Sequence, residues 1–251
     1  MSTNTAKYIS TQRDLTQKFR ESVNAATPFY PTLCAEIQSN GADEKYGMLG
    51  SMPGVKEWLG DRQFKKLRAA DFTITNRKWE NSVEFEKDDI DDDRLGLMST
   101  VMADFGNEAA LHPDDLLFET LVAGETTACF DGQYFFDTDH SWGDSGTQDN
   151  DLTYAAATGT APTAAEFRAA FHQARTAMLK YTNDQGKKLN RPVSTSMASL
   201  LVVVPPEMEL AAYEGLYAAL NSNGATNVVI DRPKIIVSPI LTDAAKFYTF
   251  N

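Results

Sequence analysis

The sequence predicts an α+β fold, and three stretches carry that prediction. Residues 91–111 read as one long helix, because Leu97, Val101, Phe105 and Ala109 recur at steps of four with Met98 and Met102 beside them. Phe72 and Ile74 alternate with Thr, and Val83 and Phe85 alternate with Glu, on either side of the polar Asn76-Arg77-Lys78. That is the pattern of a β-hairpin over about residues 71–87. Residues 199–204 form a continuous apolar strand, which Pro205-Pro206 stops.

The remaining elements follow in chain order. Residues 1–10 are polar and expected to be mobile. Leu15, Phe19 and Val23 draw a stripe one residue wide on a polar helix over residues 11–25. Docking on another molecule's surface and docking on its own core are both open for such a stripe. Residues 26–70 mix Pro, Gly and apolar anchors such as Tyr46, Trp58 and Leu59, with a short helix over 55–70. The hairpin needs a surface to lie on, since an isolated one is marginal in water, and few apolar neighbours are at hand. Asp91, Asp92 and Asp93 stand at the start of the long helix, where carboxylates favour the positive end of its dipole. His112-Pro113 is expected to interrupt that helix and start a second one, capped by Gly124.

Beyond it, Asp131-Gly132 marks a turn within an aromatic strand over residues 129–139, and residues 141–163 read as a long loop. Thr163 and Glu166 form a capping box, opening a helix with Phe167, Phe171, Ala174, Met178 and Tyr181 on one face. A helix after Pro205-Pro206 bears Met208, Leu210, Leu216 and Leu220, and β runs follow at 227–230, 234–237 and 246–250. The chain closes on a strand pattern, so the natural protein is expected to continue past Asn251.

A net charge of −12 over 251 residues argues against a nucleic-acid-binding surface, which needs clustered Lys and Arg. No apolar run reaches the length of a membrane span, and residues 1–10 lack the basic-then-apolar order of a signal peptide. Cys34 and Cys129 are far apart and in no metal-like spacing. They read as reduced thiols of a cytoplasmic product, with pairing as the open alternative.

Several fragments imitate catalytic motifs. Gly143-Asp-Ser-Gly146 looks like a serine-protease nucleophile region, but His112, His140 and His172 sit at a helix break, in a loop and on a helix. The aromatic strand ending in Asp137 and Asp139 has the look of an aspartyl-phosphatase motif without its downstream partners. Asp137, Asp139 and His140 have ligand spacing for a divalent cation, which makes a metal-dependent hydrolase the alternative of a different class. Turn carboxylates satisfying backbone donors account for them better. Asp89-x-Asp91-x-Asp93 begins like a calcium loop, but Arg94 and Thr100 stand where Gly and Glu are required. There is no glycine-rich nucleotide motif, and no cofactor, resident metal or enzymatic activity is expected.

Five motifs, in a fixed order between about residues 40 and 142, carry a resemblance. They are Tyr46-Gly-Met-Leu-Gly50, Trp58-Leu-Gly-Asp-Arg62, Asp88-Asp-Ile-Asp-Asp-Asp93 with Leu95-Gly96, His112-Pro-Asp-Asp115, and Tyr134-Phe-Phe-Asp-Thr-Asp-His140. Together they resemble the major head subunit of Mu-like phages, with a weaker likeness through residues 200–206 and 236–241. The resemblance implies a Hong Kong 97-like capsid fold. Residues 1–35 would be the N-terminal arm, 36–90 the extended loop, 91–124 the spine of the peripheral domain, 125–238 the axial domain, and 239–251 a return to the periphery.

It implies a non-enzymatic phage or prophage capsid protein, made in the bacterial host cytoplasm, that self-assembles through hexamers and pentamers into an icosahedral shell. Scaffold, portal and decoration proteins would be partners, with DNA packaged inside without sequence-specific binding and no membrane involved. An encapsulin-like compartment is the alternative within the same fold. Contacts between subunits are expected from Leu15, Phe19 and Val23 on the arm, and from Arg77, Lys78, Trp79, Val83 and Phe85 on the hairpin. Asp91, Asp92 and Asp93 at the hairpin–spine join are expected to face charges on a neighbour.

Overall fold

The computed structural model describes residues 3–52, 69–92, 95–189, 200–220, 224, 226–227 and 232–250. The chain forms two compact units. One comprises Met1–Glu44 with Thr75–Glu119, the other Lys45–Ile74 with Thr120–Asn251.

In the first unit, helix α1 runs over Thr3–Ala25, so much of the segment expected to be mobile is helical. Its narrow stripe is used within the chain. Thr11 and Leu15 are buried, and the Phe19 ring lies 5.6 Å from that of Phe105 on helix α3, Leu95–Ala123. The two backbones meet at Gly106, where a Cβ would stand 2.6 Å from the Phe19 carbonyl oxygen. That approach also decides which face of α3 is covered. Met98 is buried and Met102 and Phe105 half-buried, whereas Leu97 and Val101 of the expected stripe are exposed. The covered face is turned by about one residue from the stripe, because only glycine admits the α1 backbone.

Pro113 does not break α3; it lies inside one helix of 29 residues, roughly 44 Å long. A proline in a helix interior forfeits a backbone hydrogen bond and costs about 3 kcal/mol. Tertiary contacts beside it offset that cost. Asp114 accepts hydrogen bonds from the backbone N–H groups of Phe29 (2.8 Å) and Tyr30 (2.6 Å), and the Phe29 ring stacks on Phe118 at 6.2 Å.

Strands β1 (Asp43–Leu49) and β2 (Ala69–Thr75) form a two-stranded sheet. The partner of Phe72 and Ile74 is therefore β1, and the expected hairpin to Val83 and Phe85 is not formed. Residues 76–86 are irregular and, Phe85 apart, exposed. Asn76 settles the choice: its N–H donates to the Ala42 carbonyl (2.9 Å), and its amide Nδ2 to Ser39 Oγ (2.6 Å) and the Gly41 carbonyl (2.8 Å). The chain leaving β2 is thereby held to the chain entering β1. The helix expected over 55–70 lies outside the described residues, except that Ala69 and Ala70 belong to β2.

The second unit is built on a three-stranded sheet in the order β4-β3-β5, with β3 (Leu201–Val204) central. It pairs in parallel with β4 (Lys234–Val237) and antiparallel with β5 (Tyr248–Phe250). Helix α4 (Ala164–Lys180) opens on the predicted capping box, with the Thr163 and Glu166 side chains each accepting the other's backbone N–H. After Pro205 ends β3, a 3-10 turn leads into α5 (Glu209–Tyr217). Phe167 and Phe171 of α4, Met208, and Ala212 and Leu216 of α5 close over Val202 and Val204. Leu210 and Leu220 are exposed, since the inward row is Met208, Ala212, Leu216 at steps of four.

The aromatic stretch is no regular strand. A single bridge, Ala128 to Tyr134, surrounds the turn at Gly132, whose φ is +88°. The rings instead find separate partners, Phe130 on Trp142 and Phe136 on Tyr248. The β run expected at 227–230 lies almost wholly outside the described residues.

Helices α4 and α5 cross closely at Gly215, where a Cβ would lie 2.7 Å from the Ala164 carbonyl oxygen. Gly215→Ala should lower the stability of the second unit by about 1–3 kcal/mol through overpacking, despite alanine's better helix propensity. Denaturant unfolding checks this; equal or greater stability would mean that the helices separate freely.

Candidate functional site

The residues expected to face a neighbouring subunit fall into two groups. Leu15 is buried in its own chain, and Phe19 and Val23 are half-buried there. Asp91 ends the short helix α2, Lys87–Asp91, rather than starting the long one. A carboxylate is poorly placed at a helix C-terminus. It is compensated by α1: the Tyr8 hydroxyl donates to Asp91 at 2.9 Å, and Lys7 Nζ to the Asp91 carbonyl at 3.1 Å. Partial burial and the bond to Asp91 push the Tyr8 phenol above its ordinary pKa. Asp91 thus ties two elements of one chain, Asp92 is exposed, and Asp93 lies outside the described residues.

Arg77, Lys78, Trp79 and Val83 remain at the surface, with Trp79 55% and Val83 39% exposed. The Trp79 ring meets the His112 ring edge-on at 4.8 Å, which fixes its position without covering it. Phe85 is half-buried.

The candidate cation ligands are not assembled as such. His140 Nδ1 lies 2.7 Å from Asp131 Oδ2 and Nε2 lies 3.2 Å from the Phe135 carbonyl oxygen. Both ring nitrogens face acceptors, so the favoured state is the doubly protonated ring, which has no lone pair for a metal. Burial lowers its pKa, but Asp131, then the Phe135 carbonyl and Asp137, outweigh burial and raise it above the ordinary value. Asp137 accepts the Thr138 N–H at 2.7 Å, a turn carboxylate, and Asp139 is exposed. Among the described residues, no three His, Cys, Asp or Glu side chains gather as a metal-binding set. Ser145 is likewise spent on its own turn, accepting the Trp142 N–H at 3.0 Å and donating to the Gly146 carbonyl at 2.9 Å.

The prominent surface feature is instead apolar. Leu97 and Val101 on α3, Leu210 and Tyr213 on α5, and Tyr134 and Phe135 after the Gly132 turn are all exposed. Helical periodicity alone assigns Leu97 and Val101 to a covered face. The small residues at the close crossings, Gly106 and Gly215, are the signal that locates the true ones.

Comparisons place this architecture among known proteins. The capsid protein of bacteriophage JBD30 superimposes with a TM-score of 0.70 at 25% identity, over 87% of this chain and 92% of that one. The same phage's procapsid matches with a TM-score of 0.71 at 24% identity, over 96% of this chain and 100% of that one. The fold is thus a mixed α+β one of the phage capsid class, a structural and not an enzymatic class of protein. The family described as Mu-like prophage major head subunit gpT matches residues 10–165 and 163–241, and the chain belongs to that family.

Two curated relatives agree. The Mu-like prophage FluMu major head subunit of Haemophilus influenzae is 40% identical over 127 residues, 51% of this chain. The major capsid protein of Escherichia phage Mu is 35% identical over 122 residues, 49% of this chain. The matches span 41% and 40% of the length of those two relatives.

His140 supplies a pH test. A pKa raised by folding contributes stability that is fully present below the unfolded value, ordinarily 6.5, and is lost as pH rises through the folded value. His140→Gln should therefore lower Tm more at about pH 5 than at about pH 9. An equal loss at both would show that the Asp131–His140 pair carries no charge.

Proposed function

We propose that this chain is the shell-forming subunit of a phage or prophage head, assembling with copies of itself into a closed icosahedral capsid around double-stranded DNA. The family match across residues 10–241 is the observation that carries this reading. The finer architecture we assign is Hong Kong 97-like. Helix α3 is the spine, α1 belongs to the arm, and residues 76–86 are the exposed part of the extended loop. The β4-β3-β5 sheet with α4 and α5 is assigned to the axial part, and with it residues 248–250, for which a return to the periphery is expected from the sequence, because β5 pairs with β3. The likeness to the JBD30 procapsid supports an assembly that passes through such a precursor shell. A capsid of that phage decorated with minor capsid protein trimers matches with a TM-score of 0.65 at 26% identity. By analogy, a decorating partner joins the shell, with scaffold and portal proteins during assembly. The charge of −12 suits a protein that packages DNA without reading its sequence.

Within this reading, Arg77, Lys78, Trp79 and Val83 form the contact that reaches a neighbouring copy. Electron microscopy of the purified protein should reveal shells, tubes or capsomers; a strict monomer at high concentration contradicts the proposal. Val83→Glu, on an exposed and irregular segment, should reduce assembly at least tenfold while the circular dichroism spectrum stays unchanged. Assembly at the parental concentration would remove residues 76–86 from the interface.

A further inference from the structure

The second unit carries two surfaces that complement each other but lie apart within one copy. The first is the outer face of α5. With Met208, Ala212 and Leu216 turned into the core, Leu210 and Tyr213 stand 69% and 42% exposed, flanked by the exposed carboxylates Glu209 and Glu214. The second is an apolar cavity of about 360 Å³ walled by Phe130, Phe135, Trp142 and Leu189. Leu189 is 58% exposed, and the two residues before it, Lys187 and Lys188, are exposed cations. Lys188 Nζ donates to the Lys180 carbonyl at 2.5 Å, which brings its ammonium to the end of α4. The acids of the cavity are spent internally: Asp131 on His140, and Asp184 on the Ser51 N–H (2.7 Å) and Gln185 Nε2 (3.1 Å).

The two surfaces sit near opposite ends of α4. Gly215 of α5 abuts Ala164 at its first turn, whereas the lysines follow Lys180, its last residue. Those ends are roughly 24 Å apart for a helix of 17 residues.

We propose that the α5 face of one copy seats in the Leu189 cavity of a second copy. Leu210 and Tyr213 enter the apolar walls, and Glu209 and Glu214 meet Lys187 and Lys188. Exposed apolar side chains beside charges of one sign, and an apolar hollow beside charges of the other, are the two halves of such a contact. Because the patches differ, the contact is head-to-tail, the kind that closes into a ring when the rotation allows. The apolar anchors supply the affinity, and the rim charges set register and association rate. The inference rests on the reading of the chain as a shell subunit, which makes the partner a second copy.

Charge reversal tests it. Glu209→Lys with Glu214→Lys, and separately Lys187→Glu with Lys188→Glu, should each reduce assembly at least tenfold, as read by sedimentation and electron microscopy, with circular dichroism unchanged. Combining all four reversals in one chain should restore assembly, since every contact then again joins opposite charges. If wild-type protein assembles and either reversed variant assembles equally well, or if the fourfold variant fails to recover, the proposed contact is wrong while the shell reading stands. Variants that assemble but lose only a decorating partner overturn it as well. If wild-type protein does not assemble, the shell reading falls and this contact with it.

Discussion

The burial of Val202, Val203 and Val204 in β3 is the constraint on which the second unit depends. Val202, Val203 and Val204 have no exposed surface, so the strand must be paired along both edges and covered on both faces. β4 and β5 meet the first requirement through the parallel and antiparallel registers. Phe167, Phe171, Met208, Ala212 and Leu216 meet the second on the Val202–Val204 face. Each buried side chain of this size contributes roughly 1.5–3 kcal/mol, which only close packing realises. The glycine at position 215 follows from that demand, since α5 cannot reach the sheet beside α4 unless one backbone lets the other in.

The first unit applies the same device to poorer material. Helix α1 is polar, and its one narrow stripe is spent on α3, with Gly106 admitting the backbone and Asp91 and Asp114 accepting donors from Tyr8, Phe29 and Tyr30. Polar groups of both units are committed to local ties, including the His140 ring and the Asp184 carboxylate. Large apolar side chains stand exposed beside them: Leu97 and Val101, Trp79 and Val83, Leu210 and Tyr213. Exposed apolar side chains of this size, where they gather, mark surfaces that other molecules cover.

Legibility in the sequence followed the range of the interactions. The capping box at Thr163, the strand ended by Pro205, and the inward Phe167–Phe171 pair depend on neighbours a few positions away, and periodicity found them. The pairing of β2 with β1 depends on Asn76 reaching Ser39 and Gly41, a separation that alternation cannot sense, so a local hairpin was expected instead. The covered face of α3 was misplaced by about one residue because the stripe counted Leu97 and Val101 and ignored the space left by Gly106. Sequence alone places a break at Pro113, because it does not register the stacking of Phe29 on Phe118 beside it. The ordered motifs from Tyr46 to His140 point to the family that the chain belongs to, whereas the burial of Leu15 against its own chain does not follow from them.

The central claim is that each copy closes its own core and leaves its outward apolar surface for its neighbours. Amide hydrogen exchange, compared between dispersed and assembled protein, tests it most directly. The account predicts slow exchange in β3 and α4 in both states, with residues 76–86 and α5 gaining at least tenfold protection on assembly. Assembled particles in which 76–86 and α5 exchange as fast as in the dispersed chain, or in which β3 becomes protected only on assembly, would contradict it.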